Sequence, residues 1–98
     1  MKWAVRPQVA DELAEAARWY RDISPSLSEA FFAEYAAAVA RVQEYPRSYP
    51  VVHPPKRVRR ALLHRFPYAL FYRLSEEEGV FFALRHSAQH PRGWRRRS

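Results

Sequence analysis

The chain has 98 residues, which is one small domain. Hydrophobic residues make up 48% of it, enough for a single core and too many for a disordered chain. It has no cysteine, which excludes a disulfide framework, a thiolate metal site and a cysteine nucleophile together, and suits a reducing cytoplasm. The net charge of +7 is unevenly placed. Residues 1–49 hold six Lys/Arg against seven Asp/Glu, and residues 50–98 hold eleven against three. A basic half of this kind implies a polyanionic partner, nucleic acid or an acidic protein segment. Fifteen of the seventeen basic residues are arginine, whose planar fork pairs with carboxylate and phosphate better than lysine does.

In chain order, Trp3-Ala4-Val5 before Pro7 predicts a short first strand. No apolar run approaches the roughly 20 residues of a membrane span, and the first residues lack a signal-peptide pattern. Leu13, Ala16, Ala17 and Tyr20 recur at helical spacing and predict a helix over about 9–22. Asp11, Glu12 and Glu15 place negative charge towards its N-terminus, where it is favoured. Ser24-Pro25 breaks it. Ser26 and Glu29 have capping-box spacing, so a second helix should start near Ser26 and end at Tyr45, ahead of Pro46. Its stripe is Leu27, Phe31, Tyr35, Ala38, Val39 and Val42.

Residues 46–55 contain four prolines and read as loop. Beyond them the period changes to two. Residues 58–66, 69–74 and 80–86 read as strands, with Pro67 and the 75–79 turn between them. The expected order is β-α-α-β-β-β, an α+β domain with a helical hairpin packed on a small antiparallel sheet. It should occupy residues 1–86, with 87–98 as a basic tail. Alternation puts Leu70, Tyr72, Leu74, Val80, Phe82 and Leu84 under the helices. The other face then shows Arg59, Leu63, Arg65, Ala69, Phe71, Arg73, Phe81, Ala83 and Arg85. Arginines interleaved with aromatics on one sheet face suit an acidic or nucleic-acid ligand.

Several chemistries drop out. The four histidines, His53, His64, His86 and His90, do not make an HExxH, and with no cysteine neither a metal nor a cofactor is expected. There is no Walker loop and no GxSxG. Metal-free phosphodiester chemistry survives, since it needs only an acid/base and arginines against the developing charge. Arg73, Arg85 and His86 are the candidates for those parts.

The chain also resembles the ParE/RelE superfamily of toxins from type II toxin–antitoxin (plasmid stabilisation) systems, over about Val5 to Trp94. The resemblance rests on Trp19-Tyr20, Ser24-Pro25, the Phe31/Phe32 helix closing before Pro46, Tyr49-Pro50, the run Arg59 to Arg73, and His86 with Pro91 and Trp94. It implies a growth-inhibiting cytoplasmic protein held by a cognate acidic antitoxin. ParE-like members inhibit DNA gyrase; RelE-like members cut mRNA on the ribosome without a metal. RelE-like enzymes carry an arginine just before the apolar run of the middle strand, where this chain has Ala69, and an arginine pair where it has Ala88-Gln89. Those departures favour the ParE-like branch, with a RelE-like nuclease or a non-toxic nucleic-acid-binding module as alternatives. The expected antitoxin- or target-binding face is Arg59, Leu63, Arg65, Phe71, Arg73, Phe81 and Arg85, with Trp94 from the tail.

Overall fold

Five strands and two helices make up the computed structural model of the chain, which describes residues 1–87. The order is β1 (Lys2–Val5), α1 (Pro7–Ile23), α2 (Pro25–Glu44), β2 (Val51–His53), β3 (Val58–Leu62), β4 (Tyr68–Leu74) and β5 (Glu78–His86). The sheet runs β1-β5-β4-β3-β2, with β1 parallel to β5 and the other pairs antiparallel. This is the expected helical hairpin on a small sheet, with one more strand than the sequence suggested. β2 lies inside the proline-rich stretch read as loop; of its three residues Val51 and His53 pair with β3 before Pro54 ends the strand.

Both helices start earlier than their polar signals suggested. Each has proline in its first turn, where the missing N–H costs no hydrogen bond and φ is already helical. Starting at Pro7, α1 has no acidic residue in its first turn, so Asp11, Glu12 and Glu15 act from later turns. The N-cap of α2 is Ser24 rather than Ser26, and its hydroxyl meets that of Ser26 at 2.9 Å instead of capping a backbone N–H. Ser24 alone separates the two helices.

The hairpin covers one face of the sheet. Val9, Ala16 and Ala17 of α1 and Phe31, Ala38 and Val42 of α2 pack on Ala61, Leu63, Leu70, Tyr72, Phe81 and Leu84. Aromatic rings close its end: Phe31 stacks on Tyr20 at 5.2 Å and meets Phe66 edge-on at 5.1 Å and Tyr68 at 5.0 Å. Burying a ring such as Phe31 contributes about 1.5–3 kcal/mol. Among the described residues no helix is long and apolar enough to cross a membrane.

The face assignment from alternation needs one correction, and its cause is a β-bulge. Tyr72 pairs with Phe81 while Phe71 pairs with Ala83, so Phe82 is an extra residue on β5. Strand periodicity restarts there. Phe81 therefore enters the helix-side core, while Phe82 turns to the opposite face beside Val58, Ala69, Phe71 and Ala83. Val80, opposite Arg73, follows Phe82 to that side. Leu63, expected outside, lies past the end of β3 and is only 5% exposed in the main core.

Gly79, read as a turn residue, is in β5 directly opposite Trp3. The Trp3 ring lies over it and stacks on Phe81 at 5.1 Å, so a β-carbon at position 79 would run into the indole. Gly79→Ala should therefore destabilise the fold by about 1–3 kcal/mol in urea unfolding, while Trp3→Leu in the same background should recover part of the loss.

Tyr72 is fully buried and donates its hydroxyl to the Pro46 carbonyl at 2.6 Å. Burial pushes its phenol up to about 12, against about 10 in an unfolded chain. The neutral phenol's contribution is thus complete below pH 10 and fades as pH rises towards 12. Tyr72→Phe should lose about 1 kcal/mol at neutral pH and show a shallower loss of stability in that alkaline window.

Candidate functional site

The residues expected to act together are spread over the sheet. Tyr68 pairs with His86 and Ala69 with Arg85 at one end of the β4–β5 ladder, whereas Arg73 pairs with Val80 at the other. Ala69, opposite Arg85, is four strand steps from Arg73, about 13 Å. Arg73 and Arg85 thus stand at different parts of the ladder.

Arg85 is also engaged. The four-residue β1 pairs with β5 only as far as Phe81, and beyond that point β5 is an open edge. The Glu12 carboxylate from α1 fills the gap: Oε1 accepts the Leu84 N–H at 2.9 Å and Oε2 lies 3.0 Å from Arg85 Nε. A carboxylate on a strand edge satisfies a backbone donor that would otherwise be free to pair with another chain. The same contact consumes the charge of Arg85. His86 meets Tyr68 edge-on, with ring centroids 5.3 Å apart. Burial, helped by the neighbouring Tyr20 and Glu15, raises the Tyr68 phenol and keeps it protonated at neutral pH. A cavity of about 500 Å³ opens here, lined by Glu12, Glu15, Arg18 and Asp22 of α1 with Tyr68 and Arg85 of the sheet. Its mixed charge suits a phosphate poorly.

The other expected contact residues divide by environment. Arg65 is exposed in the β3–β4 loop, its guanidinium 5.7 Å from the Phe66 ring. Glu34 of α2 pins that loop by accepting the N–H groups of His64 (2.9 Å) and Arg65 (3.3 Å). The His64 N–H holds the Glu34 carboxyl below its usual range. Arg59 faces the rim beside the helices, where Nη1 donates to the carbonyls of Tyr49 (2.6 Å) and Arg47 (3.1 Å). Phe71 is 7% exposed on the outer face, and Leu63 and Phe81 are core residues. Trp94, Ala88-Gln89 and His90 lie outside the described residues. Among the described residues, no three His, Asp or Glu side chains gather in a way that could hold a metal ion.

Sequence reasoning missed Glu12 as an edge cap, which had no signal because its partner is 72 residues away.

A sheet with this order beneath a helical hairpin defines a small α+β protein. Comparison of the structure with solved chains gives the same architecture. The chain overlays a protein described as the chromosomal ParDE TA system from P. aeruginosa with a TM-score of 0.75, over 88% of this chain and 95% of that one, at 19% identity. No match is found among curated proteins. The model of the ParE toxin of type II toxin–antitoxin systems, parDE, matches residues 4–91, and the chain belongs to that family.

Glu12→Ala should cost about 1–3 kcal/mol, because it strands the Leu84 N–H and leaves the Arg85 guanidinium without its carboxylate. Glu12→Gln, which retains an acceptor oxygen, should cost less. Urea unfolding of the two variants checks the order.

Proposed function

We propose that this chain is a growth-arresting toxin of the ParE type, that it acts in the cytoplasm by binding DNA gyrase, and that an acidic segment of a cognate antitoxin neutralises it. Family membership supports the toxin role and the antitoxin partner. The observation that carries the non-nuclease reading is the dispersal of the phosphodiester candidates. Arg73 is at the far end of the ladder from His86, Arg85 is paired with Glu12, and Ala69 is buried where RelE-like enzymes carry an arginine. Loss of one positioned donor from a phosphoryl transition state typically costs 10²–10³ in rate. Binding places no such demand on three side chains, since it sums contacts across a surface.

The RelE-like reading keeps one observation in its favour. His86 and Tyr68, two residue types that can serve as acid or base, are in ring contact at the end of the ladder. Among the described residues no arginine pair converges on them.

Pulse labelling of DNA and protein synthesis within minutes of inducing the chain separates the two. DNA synthesis should fall first, and His86→Ala should arrest growth as the parent does. Protein synthesis falling first, or loss of toxicity in a folded His86→Ala protein, would reject gyrase as the target.

A further inference from the structure

The face of the sheet turned away from the helices is apolar, and it is not open to water. Val58, Phe71 and Phe82 there are 0%, 7% and 1% exposed, in one cluster with the equally buried Ala69 and Ala83. Neither helix covers this cluster, because the buried apolar residues of both belong to the main core. Among the described residues, Val52 is the one partly buried hydrophobic packed against it. An antiparallel sheet with helices on one face ordinarily shows polar side chains to water on the other. Neighbours in the sheet shield the sides of a ring that stands on it and leave the top wet. Phenylalanines as buried as Phe71 and Phe82 therefore call for a layer above them.

The chain carries a segment that can supply this layer. The Ser87 N–H donates to the Pro67 carbonyl at 2.6 Å, so the strand leaves the sheet at the Tyr68 end of β4. Phe71 is three strand steps from Tyr68, about 10 Å. Trp94 follows Ser87 by seven residues, a reach of up to about 23 Å. It is the one large apolar side chain in residues 88–98. That segment is otherwise basic, with Arg92, Arg95, Arg96 and Arg97, and charge alone would send it to Glu15 and Asp22 of α1. The cavity beside those carboxylates already holds Arg18 and Arg85, and exposed ion pairs contribute little against water and salt. Burying an indole against other rings contributes more.

We propose that residues 88–98 dock on this outer face with Trp94 seated over Phe71 and Phe82, so that the sheet is held between the helical hairpin and a segment of its own chain. Phe71 and Trp94, read from the sequence as parts of one partner-binding face, then meet each other. The inference is independent of the toxin reading, since it draws only on the sheet, its burial and the sequence beyond it.

The chain has no cysteine, so engineered pairs report proximity without interference from a native thiol. Arg60 is exposed and lies opposite Phe71 in the β3–β4 register, on the same face. Trp19 is 67% exposed and lines the cavity beside α1. In the dilute full chain, the pair Arg60→Cys and Arg95→Cys should close an intramolecular disulfide about tenfold faster than the pair Trp19→Cys and Arg95→Cys, because only cysteines brought close can bridge. Adding Trp94→Ala to both pairs should remove the preference. Equal closure of the two pairs, faster closure at Trp19, or disulfides mainly between chains would overturn the proposal. As a second measurement, Trp94→Ala in the otherwise unaltered chain should raise the fluorescence of the apolar dye ANS severalfold while far-UV circular dichroism stays as in the parent. An unchanged dye signal in that folded variant would overturn the seat over Phe71.

Discussion

Phe82, the extra residue in β5, decides which side chains the sheet gives to its helices. Without it, strict alternation would send Phe82 and Val80 under the hairpin and Phe81 away from it. With it, Phe81 sits between Trp3 and Tyr72, at 5.1 Å and 5.8 Å from their rings, and joins the main core. The same offset brings Gly79 beneath the indole of Trp3, where only a residue without a side chain fits. The parallel β1–β5 pairing, the aromatic stack and the division of the sheet into two apolar faces thus share one local irregularity. Bulges are tolerated because the unpaired residue costs one ladder interaction and gains a redirected side chain in return.

The second dependence is on Glu12. β1 is four residues long and β5 nine, so part of β5 has no neighbour strand on that side. One carboxylate from α1 satisfies the Leu84 N–H and pairs with Arg85. This ties the first helix to the last strand and also takes Arg85 out of the set of available cations. A residue that reads as a phosphate clamp in the sequence is a structural ion pair in the fold.

These two arrangements bear on function in the same direction. The β4–β5 ladder presents buried aromatics, a paired arginine and a protonated Tyr68, whereas Arg47, Arg57 and Arg59 line one cavity with Glu76 near the β2–β3 hairpin. The proposed binding role rests on that distribution among the described residues, since attack on a phosphodiester would demand several charged groups within a few ångströms of one atom.

The sequence by itself determined the element types, the helical hairpin, the order β-α-α-β-β-β and the basic character of the second half. These follow from short-range periodicity, proline positions and composition, all of which are written locally. It also carried the family, through an ordered set of residues from Trp19 to Trp94, and the family match over 4–91 bears the family out. Tertiary structure alone decided the rest. β2 is three residues long and forms only because β3 is there to pair with it. The bulge at Phe82 leaves no mark in a run of alternating apolar residues, since Phe81 and Phe82 are chemically identical. Leu63 and Phe81 moved from an expected binding face into the core, and Arg59 from that face to the rim, because face assignment depends on register across strands. Glu12 found Arg85, and Arg47 came beside Arg57 and Arg59, through contacts between residues distant in sequence or separated by a turn. Local patterns choose the elements, and the pairing of those elements chooses which charges meet.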